Sequence, residues 1–109
     1  MEVPAGARLL FTNGQVGTKR DGTTPEAVEE QIEVVFERLG LVLKASNMNF
    51  NDVVRFDVYL TDRADLPAFV KVRDRIMGDH KPGATLLVVA GLARAEVKVE
   101  IEAVAAKVD

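Results

Sequence analysis

The segment Val53–Leu60 (VVRFDVYL) alternates, with Val54, Phe56, Val58 and Leu60 on one face and Arg55, Asp57 and Tyr59 on the other. Such a run makes a strand with one face toward a core, so neighbouring segments have to cover that face. Val97–Val104 repeats the pattern, placing Val97, Val99, Ile101 and Ala103 opposite Lys98, Glu100 and Glu102. Thr85–Ala90 (TLLVVA) differs. Leu86 and Val88 point one way and Leu87 and Val89 the other, so both faces of this strand need cover.

Two helical patterns supply part of it. Val28, Ile32, Val35, Phe36, Leu39, Val42 and Leu43 form one stripe, which predicts a helix of about 20 residues. Thr24 is the expected N-cap, with Pro25 at the first helical position and Glu26 near the positive end of the dipole. Gly40 interrupts the stripe at about 1 kcal/mol relative to Ala, a cost that close packing could offset. The second helix is expected over Leu66–Met77, with Leu66, Phe69, Val72, Ile76 and Met77 inward and Gly78-Asp79 as its exit. Upstream, Arg8–Thr12 (RLLFT) is a short apolar run, and Asn13-Gly14 either breaks that strand or starts a hairpin with Gln15–Gly17.

These elements predict one domain over residues 1–109, an α+β two-layer sandwich with two helices on one face of a mixed sheet. Two helices cover only that face. Tyr59, Leu87 and Val89 therefore need a second copy of the sheet's open side, which predicts a closed homo-oligomer; the alternative is a monomer whose terminal segment folds across the sheet. With 48% hydrophobic residues in 109, the chain can hide roughly two thirds of its unfolded surface. The balance of 17 acidic to 14 basic residues, net charge −3, argues against a nucleic-acid binder that relies on phosphate neutralisation. The lack of Cys excludes disulfides, thiolate catalysis and sulfur-rich zinc sites, and the single His80 excludes a multi-histidine site. No apolar run is long enough to span a bilayer and no secretory leader is visible, so a soluble, cytoplasmic protein is expected.

Glu100 is the carboxylate singled out for chemistry. It lies on the polar face of an otherwise apolar strand, where oligomerisation would partly desolvate it and suit it to shuttling a proton between water and a substrate. The plain alternative makes Glu100 and Glu102 solvated residues beside Lys98. Asn13, Gly14 and Gln15 end the first strand and could offer backbone groups to a small ligand, since glycine permits close approach; a simple turn is the other reading. GTKRDG lacks the spacing of a phosphate loop. His80 reads as a surface residue, and Arg55 and Asp57 as ordinary exposed polar groups. Arg73, Arg75 and Arg94 could each hold a carboxylate through paired hydrogen bonds.

The assembled segments resemble the RidA (YjgF) family, known for enamine and imine deamination. The resemblance rests on FTNGQVGT (Phe11–Thr18), the helix around Gln31 ending in LVLKASNM, FNDVVRFDVYLTD (Phe50–Asp62), DLPAF (Asp65–Phe69) and VKVEIEAVA (Val97–Ala105). It implies a chorismate-mutase-like homotrimer with clefts between subunits, a small-molecule ligand, and neither cofactor nor metal. In deaminating members an arginine in a Pro-Ala-Arg motif clamps the substrate carboxylate and a glutamate of the last strand positions water. Glu100 matches that glutamate, and Gly14 matches the glycine whose backbone contacts ligand. The arginine does not match: Pro82-Gly83-Ala84-Thr85 leaves Ala84 at the clamp, with Thr85 beside it. Val70 falls where many members carry asparagine, and Arg73 where many carry tyrosine.

Losing a bidentate guanidinium removes a contact of about 1.5–3 kcal/mol. Three readings follow. The cleft and Glu100 act on a neutral or differently charged imine or enamine; the protein is a non-catalytic binding or regulatory trimer; or Arg73 or Arg94 clamps the carboxylate of a 2-imino acid from a new direction. The family has also been described as ribonucleolytic, for which this acidic chain without an aromatic-basic stripe gives no support.

Overall fold

The computed structural model describes all 109 residues. In chain order the elements are β1 (Arg8–Phe11), β2 (Gln15–Val16), α1 (Val28–Ala45), β3 (Val53–Leu60), α2 (Leu66–Met77), β4 (Gly83–Val88) and β5 (Val99–Lys107). The sheet order is β1-β5-β3-β4, with β2 also pairing with β5. β3 and β4 run parallel, with α2 making the crossover that parallel neighbours require, and the other pairings are antiparallel.

The alternation of β3 is realised residue for residue in its centre. Phe56, Val58 and Leu60 are buried against the helices, while Arg55, Asp57 and Tyr59 face the other way. Phe36 of α1 joins the two layers: its ring meets Phe56 edge-on at 5.8 Å and stacks on Phe69 of α2 at 6.3 Å. Gly40 does mark a close approach, since a Cβ there would lie 3.3 Å from the Phe50 ring.

The second helix has its expected bounds, although Leu66, expected to face inward, is 39% exposed at its first position. Asp62 caps the preceding turn by accepting from the Ala64 N–H (2.9 Å), Pro67 sits in the first turn, and Gly78 ends the helix at φ 57°. The first helix starts later than expected. Thr24 is not its cap; the Thr24 hydroxyl shares a hydrogen bond with that of Thr18 (2.9 Å), and Pro25 and Glu26 also precede the helix. The cause is Gln31, wholly buried in the stripe. Its Nε2 donates to the carbonyls of Pro25 (2.8 Å) and Glu96 (2.9 Å), and its Oε1 accepts from the Lys98 N–H (2.9 Å). These bonds tie the approach to α1 to the approach to β5 before either element begins.

Two strand boundaries shift. β4 begins at Gly83, pairing Gly83 with Arg55 and Ala84 with Phe56, and ends before Val89, whose N–H reaches the Leu60 carbonyl (2.8 Å). β5 begins at Val99 and runs on to Lys107, because β1 pairs with its last turns of alternation. Asn13-Gly14 breaks the edge strand and makes no hairpin. Between the pairs Phe11–Val104 and Gln15–Ile101 the edge carries Thr12, Asn13 and Gly14 against Ala103 and Glu102 of β5, one extra residue. Thr12 steadies this bulge, its N–H donating to the Ala103 carbonyl (3.0 Å) and its hydroxyl accepting from the Ala103 N–H (2.9 Å).

Candidate functional site

The bulge brings Gly14 over the Glu100 side chain. A Cβ at Gly14 would overlap the carboxylate and lie within 2.8 Å of Glu100 Cδ. Two residues 86 positions apart, both picked from the sequence, thus meet in one spot. Glycine is needed here for close approach rather than for an unusual backbone angle, since Gly14 is not among the positive-φ residues. Asn13 is exposed, and its carbonyl accepts from Gln15 Nε2 (3.3 Å). Gln15 faces the helix layer, where its Oε1 accepts from Arg38 Nε (3.1 Å).

Glu100 belongs to the open face of the sheet. Register places it beside Tyr59, and Tyr59 beside Leu87; Asp57 lies between Glu102 and Thr85, and Arg55 between Val104 and Gly83. Tyr59 donates to Glu102 Oε1 (3.3 Å), and the Glu102 charge holds its hydroxyl above the ordinary value of 10.0, helped by desolvation and by that hydrogen bond. Leu9, Phe11 and Leu87 are 54%, 69% and 50% exposed on this face. The face combines apolar area with a line of carboxylates and has no helix over it. Arg55 and Thr85, neither expected to act together, are joined by Arg55 Nη2 donating to Thr85 Oγ1 at 2.5 Å and to Asp57 Oδ1 at 3.2 Å. Only the parallel register of β3 and β4 creates that pair, and no single-strand pattern carries it.

The remaining candidates fall elsewhere. Ala84 pairs with Phe56 on the helix side, where a cavity of about 160 Å3 is lined by Ala84, Arg73, His80, Lys81, Phe56 and Pro82. The residue at the family's clamp position therefore shares a hollow with three cationic or imidazole side chains. Arg73 lies over the Phe69 ring at 5.6 Å and donates through Nε and Nη2 to Asp74 Oδ1 (3.1 and 3.0 Å), holding that carboxyl below its usual value. His80 is not a free surface residue; its Nε2 is hydrogen-bonded to the Val53 carbonyl at 2.7 Å. Arg75 pairs with Glu33 (2.9 Å), and Arg94 is committed to Thr18 Oγ1 (2.5 Å) and Glu96 (3.5 Å), the latter two contacts lying beside the loop that follows β2. No group of His, Asp and Glu side chains could hold a metal ion, and no helix is long and apolar enough to cross a membrane.

Residues 3–107 match the family model described as endoribonuclease L-PSP. Protein DfrA of Myxococcus xanthus is 36% identical over 109 residues, covering 96% of this chain and 80% of that one. Protein HMF1 of Saccharomyces cerevisiae is 31% identical, with 93% and 78% covered. The chain belongs to the RidA family. Among solved RidA structures, Escherichia coli TdcF with bound serine superposes at a TM-score of 0.87 with 28% identity, covering 96% of this chain and 84% of that one. RidA from an Antarctic Psychrobacter gives 0.85 and 28%, with 96% and 90% covered. TdcF is named for reactive-intermediate deamination. The two-layer mixed-sheet fold expected from the RidA resemblance is the fold found.

Proposed function

We propose that this RidA protein assembles as a homotrimer through the open face of its sheet and binds a small metabolite in a cleft between subunits. There it hydrolyses an enamine or imine to a carbonyl compound and ammonia. The observation that carries the reading is the fit of Gly14 onto Glu100, which reserves the space against that carboxylate. An enamine first tautomerises to the imine; Glu100 then accepts a proton from water as the water oxygen adds to the C=N carbon and returns it to nitrogen, and it passes the hydroxyl proton of the resulting carbinolamine to nitrogen as the carbon–nitrogen bond breaks, releasing ammonia and leaving C=O. Leu9, Phe11 and Leu87 supply apolar area for the contact between copies. Backbone groups of Asn13–Gln15 line the ligand's approach. With Ala84 in place of a guanidinium, the ligand is uncharged or differently charged from a 2-imino acid, because an unpaired buried carboxylate is costly. Ammonia release from freshly generated imines by the parent protein and E100Q tests this reading; parent activity that E100Q retains in full would end it. A folded trimer inactive on every imine would leave a binding or regulatory role.

A second reading is favoured by one observation, the shared cavity of Ala84 and Arg73. In it Arg73, backed by Lys81, takes the carboxylate of a 2-imino acid shared between subunits, the reacting Glu100 coming from a neighbouring copy because it lies on the opposite sheet face of the same chain, and Asp74 gives up its bonds. Bound serine in TdcF, itself a carboxylate ligand, supports this class. R73A then raises KM for imino acids and leaves uncharged imines unaffected. Arg94 is the poorer clamp because Thr18 and Glu96 already hold it. The proposal places this work in the cytoplasm, which fractionation of expressing cells tests.

A further inference from the structure

A groove of about 710 Å3 lies between α1 and the chain that follows β2. It is on the helix side of the sheet edge: its wall residue Gln15 pairs with the inward-facing Ile101, whereas Glu100 faces the opposite side. The floor is Val34, Leu41 and Val42, and the rim is Lys19, Arg20 and Arg38, with Glu37 the acidic residue in the lining. Three cations around an apolar floor, in a chain whose net charge is −3, form a local inversion of the molecule's charge.

Arg38 is held in place before any ligand arrives. Its Nε donates to Gln15 Oε1 and its Nη1 to the Thr18 carbonyl, both at 3.1 Å, which leaves Nη2 outside these two bonds. A fixed guanidinium loses less freedom on binding an anion than a mobile one. Lys19 makes only a long contact to Glu30 (3.4 Å), and Arg20 enters no ion pair. Leu41 is 63% exposed on the floor, apolar area that the fold leaves uncovered.

We propose that this groove is a second binding site, distinct from the Glu100 cleft, for a small organic anion: a carboxylate or phosphate monoester with an apolar body about the size of a phenyl ring. Arg38 and Arg20 take the anionic head, and Leu41 and Val42 take the body. Charge alone does not fill the site, so inorganic phosphate binds more weakly than phenyl phosphate.

The test is an NMR titration of the 109-residue protein with phenyl phosphate, benzoate and inorganic phosphate, following the amides of residues 18–20 and 38–42. Saturable shifts at these positions are expected. R20Q weakens phenyl phosphate binding about fivefold and R38Q about tenfold, in keeping with loss of a charge-assisted contact. Since Arg20 makes no ion pair, R20Q reads the site without disturbing its wall, and E100Q leaves the affinity unchanged. Phenyl phosphate and benzoate both bind, the tighter of them identifying the preferred head. No saturable shift, equal affinity for inorganic phosphate, indifference to R20Q, or dependence on Glu100 would each overturn the proposal.

Discussion

Substituting Gly14 by Ala separates function from stability. The new Cβ would overlap Glu100 Oε2 and lie 2.8 Å from Cδ, whereas ordinary contact begins at 3.4 Å, so the carboxylate retreats by at least about 0.6 Å. The atoms that give way are the far end of a flexible side chain, and Gly14 does not occupy the left-handed region. The folded state therefore tolerates Ala, and the less flexible unfolded chain contributes about 0.4–1 kcal/mol in favour of folding. A reacting group misplaced by about 1 Å loses on the order of 100-fold in rate, so G14A is expected to lose roughly 10- to 100-fold in kcat/KM for imine hydrolysis while Tm by circular dichroism holds or rises slightly. Gly17 is the contrast: its Cβ would strike backbone of Gln31 at 2.7 Å, which cannot move, and G17A lowers stability by about 1–3 kcal/mol. Unchanged activity in G14A, or loss of folding there as severe as in G17A, would refute the argument that Gly14 exists to make room for Glu100.

Q31A leaves two carbonyls and one N–H without their partner in a buried setting, and chemical denaturation is expected to show a loss of about 3 kcal/mol. Tyr59 is the sole tyrosine, so its absorbance titration is unambiguous; E102Q is expected to bring its midpoint down toward 10.0 by removing the largest cause of its elevation. The carboxyls of Asp21, Asp74 and Asp109 are held below 3.8 by Thr23, Arg73 and Arg8 respectively, so their contribution to stability is present above that value and is lost as pH falls through their lower folded values. Tm should accordingly decline on acidification below about pH 3.8, and R73A should return the Asp74 midpoint toward 3.8 in an NMR titration. L87D puts a charge into the open sheet face beside Tyr59, and light scattering is expected to show the proposed trimer lost.

The sequence was most legible where one local signal had no competitor. β3 alternates from Arg55 to Leu60, and α2 carries an apolar stripe that Gly78 ends, so both have their expected bounds; at the start of β3 a register shift turns Val53 to the core in place of the expected Val54. The start of α1 was misread because Thr24-Pro25 imitates a cap, while the residue that fixes the entry is Gln31, a polar side chain inside an apolar stripe whose partners lie near Glu96 and Lys98. The ends of β4 and β5 depend on which strand lies alongside, information absent from either segment alone. Glu100 and Gly14 were each visible, Glu100 as a polar residue on a core strand and both through family resemblance. Their contact was not, since it depends on a one-residue bulge between strands at opposite ends of the chain. The contact between Arg55 and Thr85 was hidden too, since it depends on the parallel register of β3 and β4.

The most direct measurement is steady-state ammonia release from freshly generated imines, imino acids and uncharged imines side by side, with spontaneous hydrolysis subtracted and the parent compared with E100Q of verified oligomeric state. Parent activity is expected to be greater on uncharged imines than on 2-imino acids and to be lost in E100Q; equal hydrolysis by both proteins, or none by a folded parent trimer, would contradict a catalytic Glu100.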